Sequence, residues 1–197
     1  MSDRSNGYER VSAQFLAGRG RAPSTAIGAS VVREWARTLP RGATVIDLGC
    51  GSGLPITKVL VDEGLSVCGV DASPSMVRAF RENFPELAVV CEAVEESSFF
   101  ERTFDGVVSW GLIFLLGLGD QRRLIQRVAR ILRPGGRLLF TTCGAEGPVV
   151  WNDAMTGLES RSLGREEYRR ELTIAGLSLV GEYDDEGDNH YFDARRP

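Results

Sequence analysis

Apolar and polar positions along this chain switch between two periods, and the switches mark its elements. Short apolar stretches at 44–48, 66–71, 87–91, 104–109 and 137–142 have the length and content of buried strands. Between them the apolar residues fall at helical spacing. A helix is expected over 24–38, with Ile27, Val31, Val32 and Trp35 on one face, and Pro40 ends it. Another runs over 54–63 and closes at Gly64. Ser73 and Pro74 read as the cap and first residue of a third, which carries Met76, Val77 and Phe80. Leu124, Ile125, Val128, Ile131 and Leu132 mark a fourth, with Asp120 as its expected cap and Pro134, Gly135 and Gly136 as its stop.

The last third departs from this alternation. A helix over 164–175 closes at Gly176, a strand follows at 177–183, and an acidic turn leads to a final strand at 189–195. Too few residues separate these two strands for a crossover helix, so they form an antiparallel hairpin. The expected fold is therefore α/β: a doubly wound, mostly parallel sheet with helices on both faces and a C-terminal antiparallel hairpin strand. Residues 1–40, with a short helix near 8–16, read as a helical lead-in or cap packed on one domain spanning 41–197.

Composition narrows the class. The chain has 197 residues, 43% apolar and 25% charged, which suits one soluble domain with a substantial core. Its net charge of -4 argues against an electrostatic grip on nucleic acid or an anionic membrane. Arg19, Arg21 and Arg33 near the start read as a solvated face. Cys50, Cys68, Cys91 and Cys143 form no CxxC pair or zinc spacing, and Cys68 and Cys91 read as small apolar fillers of strands. No signal-peptide core and no membrane-length apolar run is present. A reducing, cytoplasmic setting is expected, with a small-molecule partner and no metal.

The candidate chemistry lies in the run Val45 to Gly53, VIDLGCGSG. Gly49, Gly51 and Gly53 let a backbone turn tightly and approach a ligand. The spacing is not the GxGxxG of a dinucleotide fold, because the third glycine comes one residue early. Asp47, two residues before the first glycine, repels a pyrophosphate and suits a cationic or amine-bearing ligand. The second strand ends in Asp71, where a carboxylate can accept both ribose hydroxyl hydrogens.

This motif resembles the first motif of the class I S-adenosylmethionine-dependent methyltransferases. The Leu132-Arg133-Pro134-Gly135-Gly136 stretch is similar to the LxPGG of that family, and the terminal hairpin matches its seven-stranded sheet of order 3-2-1-4-5-7-6. The resemblance covers roughly residues 40–197. It implies a cofactor site in which Asp47, Gly49, Cys50 and Gly51 lie under the methionine part and Asp71 holds the ribose. Glu92 would then meet the adenine amino group, and Ala72, Met76, Ala93 and Val94 its surroundings. Ser109 and Trp110 would stand beside the sulfonium and the acceptor. The run SWGLIF is not the (N/D)PP(Y/F) of many N-methylating members, which weighs against a DNA or glutamine-amide target.

On this reading the reaction is methyl transfer to a small acceptor by in-line displacement at the sulfonium methyl, leaving S-adenosylhomocysteine. His190, at the rim where the last hairpin begins, is the candidate general base, and a hydrogen-bonded structural histidine is the other reading of it. Phe114, Trp151 and Tyr191 are expected around the acceptor, with 143–163 as a lid. Three other readings remain open: a non-catalytic sensor or partner subunit that binds the same cofactor, a nicotinamide oxidoreductase, and a macromolecular acceptor, RNA or protein, against which the net acidity weighs.

Overall fold

The computed structural model describes residues 3–19 and 27–197. After α1 (Ser12–Arg19) and α2 (Ala29–Ala36) the alternation is regular: β1 (Thr44–Leu48), α3 (Ile56–Asp62), β2 (Ser66–Asp71), α4 (Pro74–Asn83), β3 (Ala88–Cys91), β4 (Phe104–Ser109), α5 (Leu118–Ile131) and β5 (Leu132–Cys143). A short hairpin follows, β6 (Val149–Asn152) and β7 (Glu159–Ser162), then α6 (Arg165–Ile174), β8 (Ser178–Asp184) and β9 (Asn189–Arg195).

Seven strands form one sheet in the order β3-β2-β1-β4-β5-β9-β8, and β6 and β7 form a separate pair. β1 pairs in parallel with β2 and β4, while β9 runs antiparallel between β5 and β8. The expected architecture is the observed one. β1 is central and covered on both faces, which explains its unbroken apolar run. Val45 points to the side packed by α2 and α3, beside Val32, Trp35 and Leu60. Ile46 and Leu48 point to the side packed by α5 and α6, with Leu124, Val128, Tyr168 and Phe192.

Local signals place most element ends. The Ser73 side chain accepts a hydrogen bond from the Met76 N–H at 3.2 Å, and Pro74 opens α4. Four expectations need correcting. The lead-in helix is Ser12–Arg19, later than 8–16, because Asn6 and Gly7 adopt left-handed φ of 50° and 83° and begin a series of turns. The expected start of the next helix, at 24, lies outside the described residues. α5 is capped by Gly117, and Asp120 sits in its first turn, where a carboxylate favours the positive helix end. The Pro134-Gly135-Gly136 stop lies inside β5: Leu132 pairs with Phe104 and Arg137 with Gly106, so residues 133–136 bulge outward. Of the two strand cysteines, Cys68 is buried as expected but Cys91 is exposed, at the end of a four-residue strand near the sheet edge.

The turn after β1 depends on Gly53. Its φ is 81°, and a Cβ there would lie 2.4 Å from Cε2 of Phe84. Gly53→Ala is expected to cost about 2–4 kcal/mol, the sum of left-handed strain and overpacking. Gly42 has φ 73° but faces open space, so Gly42→Ala is expected to cost only about 1 kcal/mol. Urea unfolding of the two variants checks the difference.

Candidate functional site

A cavity of 370 Å³ opens at the carboxyl ends of β1, β2 and β4, where an open parallel sheet receives its ligand. Asp47, Gly49, Cys50 and Gly51 form one wall, and Asp71, Ala72, Met76, Ala93 and Val94 continue it. Trp110, Gly111 and Leu112 close the next side together with Phe114 and the residues that follow it to Gly117, and Asn189 stands at the start of the last strand.

The glycine turn is fixed by β2. The Gly49 and Cys50 N–H groups both donate to the Val70 carbonyl, at 2.8 and 3.1 Å. The Gly51 N–H donates to Oδ2 of Asp71 at 2.8 Å, and the Ser73 N–H donates to Oδ1 at 2.8 Å. One carboxylate thus ties the glycine turn to the start of α4. Gly51 has φ 54°, and a Cβ on it would meet only Phe15, at 4.0 Å, so the turn presents bare backbone to the cavity.

Asp47 is 1% exposed. Thr57 Oγ1 donates to its Oδ2 at 2.7 Å, and among the described residues no Lys or Arg forms an ion pair with it. Burial, aided by the charge of Asp71, pushes its carboxyl up to about 7. Burial likewise raises Asp71, against the two backbone hydrogen bonds that lower it. The Cys50 thiol is raised by burial and by both neighbouring carboxylates, so it is an inert wall group.

The N-terminal segment, expected only as a lead-in or cap with no site residues named in it, covers this cavity. Asp3, Arg4, Ser5, Asn6, Tyr8 and Phe15 line it from the N-terminal segment. Glu9 fastens that segment to α4: its carboxylate accepts from the Ser75 N–H at 3.0 Å, from Ser75 Oγ at 2.8 Å and from Ser73 Oγ. On the other side Tyr8 donates to Oδ2 of Asp153 at 3.2 Å and Arg10 to the Thr156 carbonyl at 2.9 Å. The 143–163 insert is therefore a hairpin that braces the cover and not the lid itself. Trp151 does not line the cavity and instead packs its ring 5.6 Å from that of Phe114.

Several other expected site residues lie elsewhere. His190 points to the α5–α6 side of the sheet and is 2% exposed. Its ring is held by Asp184 at 2.7 Å through Nδ1 and by Glu182 at 2.9 Å through Nε2, and Arg169 in turn pairs with Glu182. Both nitrogens are engaged and the ring is not at the cavity, so His190 is a structural node and not a base for a bound acceptor. Tyr191 is fully buried beneath the wall; its OH accepts from Trp110 Nε1 at 2.8 Å and donates to Asp185 at 2.6 Å. Ser109 is buried behind the wall with its Oγ unpartnered, and Glu92 is also absent from the lining, although its Oε2 is buried without a partner.

Strand order, a glycine turn and a buried acid beneath it define a class I methyltransferase fold with a ligand cavity at its usual place. Residues 45–136 match the model of a family described as methyltransferase domain. An uncharacterized methyltransferase of Mycobacterium tuberculosis is 36% identical over 118 residues, 58% of this chain and 42% of that protein. The 27-O-demethylrifamycin SV methyltransferase of Amycolatopsis mediterranei is 30% identical over 159 residues, 71% of this chain and 55% of that protein. The chain thus spans about half the length of these curated relatives. Among solved structures, the glycopeptide N-methyltransferase MtfA complexed with S-adenosylmethionine superposes with a TM-score of 0.73 at 22% identity, covering 88% of this chain and 96% of that one.

Glu9→Gln is expected to loosen the cover without unfolding the sheet. Hydrogen exchange of amides in residues 5–15 should accelerate about tenfold while those of β1 and β4 stay protected, since one charge-assisted contact is worth about 1.5–3 kcal/mol.

Proposed function

We propose that the chain binds S-adenosylmethionine in this cavity and transfers its methyl group to a small-molecule acceptor. The observation that carries the reading is Asp47: a buried carboxylate under an open glycine turn, held by one hydroxyl and, among the described residues, no cation. Such a group calls for a ligand with a positive charge and is a poor host for a pyrophosphate. The nicotinamide reading is weakened by that acid in the phosphate position. The family match and the relatives' methyltransferase descriptions support the same conclusion.

When bound, the cofactor supplies a methyl group already activated on a sulfonium. Asp47 and the backbone of Gly49, Cys50 and Gly51 would hold its amino-acid end. Asp71 keeps lone pairs beyond its two backbone bonds and would accept from the ribose hydroxyls. Ala72, Met76, Ala93 and Val94 would flank the adenine, and Glu92, through its unpartnered oxygen, is assigned to the adenine amino group. Trp110 and Phe114 would wall the acceptor side. The N-terminal cover would exclude water from the reacting atoms. Four free cysteines fit a reducing, cytoplasmic setting, and no helix among the described residues is long and apolar enough to cross a membrane.

Calorimetric titration with S-adenosylhomocysteine tests the site. Binding is expected, and Asp71→Asn is expected to weaken it about 10- to 100-fold, the worth of a charged hydrogen bond. A folded chain that binds none overturns the proposal.

Asp47 gives the binding a pH signature. Below about 7 its carboxyl in the free chain is protonated and must release that proton to pair with the ligand's ammonium. Affinity for S-adenosylhomocysteine should therefore fall as pH drops through 7, being about tenfold weaker at pH 6 than at pH 8. The heat at pH 6 should vary with the buffer's ionisation enthalpy, and a flat profile would remove Asp47 from the contact.

A further inference from the structure

The acceptor side of the cavity has a chemical bias that narrows the substrate. Among the described lining residues the charged groups are Asp3, Asp47, Asp71 and Glu95 against Arg4 alone, with no Lys or His. Arg4 is already paired, at 2.8 Å with Glu96 and 3.5 Å with Glu95. Asp47 and Asp71 belong to the cofactor in the reading above, which leaves Asp3, an exposed carboxylate near the charge of Arg10, as the acid of the cover with no ion pair among the described residues. Its Oδ1 accepts from the N–H and hydroxyl of Ser5, and these bonds hold its carboxyl below the ordinary value.

Asn189 adds to the same bias. Its amide nitrogen donates to both oxygens of Asp185, at 3.1 and 3.0 Å, while the Asp185 carboxylate also accepts from the Tyr191 hydroxyl and the Gly187 N–H. A carboxylate in that position is acceptor-only, so it fixes the Asn189 amide with the oxygen left over for the cavity. The aromatic rings of Tyr8, Trp110 and Phe114 complete a wall of oxygens and π-faces, the surroundings a cation prefers.

We propose, resting on the cofactor reading above, that the methyl acceptor is an amine, and that Asp3 and Asn189 select it over phenols and carboxylic acids. In the transfer the lone pair of a neutral amine forms the N–C bond as the C–S bond breaks, and that bond's electron pair leaves with sulfur as a thioether. The positive charge passes from sulfur to nitrogen, so the acidic wall faces a cation before and after. An acceptor captured as an ammonium first gives its proton to solvent, since the lining holds no histidine, and the transfer step itself then moves no proton. An anionic acceptor would instead meet like charge at Asp3 and an oxygen at Asn189. Asn6 contributes a buried amide nitrogen without a partner, suited to an oxygen on the same acceptor.

The test uses the full chain saturated with S-adenosylhomocysteine and three probes that share one ring: benzylamine, benzyl alcohol and benzoate at pH 7.5. Benzylamine, then an ammonium, is expected to bind at least tenfold more tightly than benzoate by ligand-detected NMR titration, with benzyl alcohol between them. Asp3→Asn is expected to reduce that preference to under threefold. Benzoate or benzyl alcohol binding as tightly as benzylamine, a preference unchanged in Asp3→Asn, or no binding of benzylamine overturns the amine assignment and leaves the cofactor reading standing. Failure to load S-adenosylhomocysteine overturns the cofactor reading itself, so the two outcomes are distinct.

Discussion

The Asp71 carboxylate holds together the parts of the molecule that form the site. It ends β2, accepts the Gly51 N–H with one oxygen and the Ser73 N–H with the other, and so sets the glycine turn and the start of α4 in a fixed relation. Ser73 then caps α4 and also reaches Glu9, which brings the N-terminal cover down on the same corner. Sheet, helix and cover therefore meet around one acid. The arrangement is economical because backbone donors at a turn and at a helix start would otherwise need separate partners. It also makes the corner sensitive: a change at Asp71 alters the shape of the turn as well as the charge of the cavity.

The second acid of the corner works in the opposite sense. Asp47 contributes little to holding the fold, since a buried carboxylate with one hydroxyl partner is costly to keep charged. The sheet tolerates it because β1 is clamped on both sides by parallel partners and by two apolar faces. The unfavourable burial is a form of preorganisation. A ligand cation that reaches Asp47 gains the Coulombic interaction in a low-dielectric site without paying to strip water from an exposed acid.

How much of this was readable from residues alone differs by element. The sheet was legible because period-2 and period-3.6 patterns are local, and β2, β4 and β9 fall where those patterns put them. The glycine turn and Asp71 were legible because backbone chemistry demands particular residue types at short spacing. The residues of the cover were not. Nothing near Glu9 announces that its partners are Ser73 and Ser75, more than sixty positions away, and a polar N-terminal stretch carries no pattern that distinguishes a cover from a loose end. The 143–163 insert was misassigned for the same reason: its hairpin is too short to show period, and its role depends on where Tyr8 and Arg10 come to rest.

His190 shows how small a difference separates a site residue from a structural one. Successive residues of a strand face opposite sides of the sheet. On β9, Asn189 lines the cavity and Tyr191 follows on its side, so His190 must face α5 and α6. Placing that strand's start at the rim was correct; the parity was not available without the register, which pairs Thr142 with His190 and Cys143 with Asn189. The consequence reaches the chemistry. With the only histidine turned away and held between Asp184 and Glu182, the described lining carries carboxylates, amides and aromatic rings but no group built to shuttle a proton near neutral pH apart from Asp47. The proposed methyl transfer would then rest on holding two reactants together and on stabilising a positive charge as it moves between them, and the placement of Asp71, Asp47 and Asn189 is suited to those two tasks.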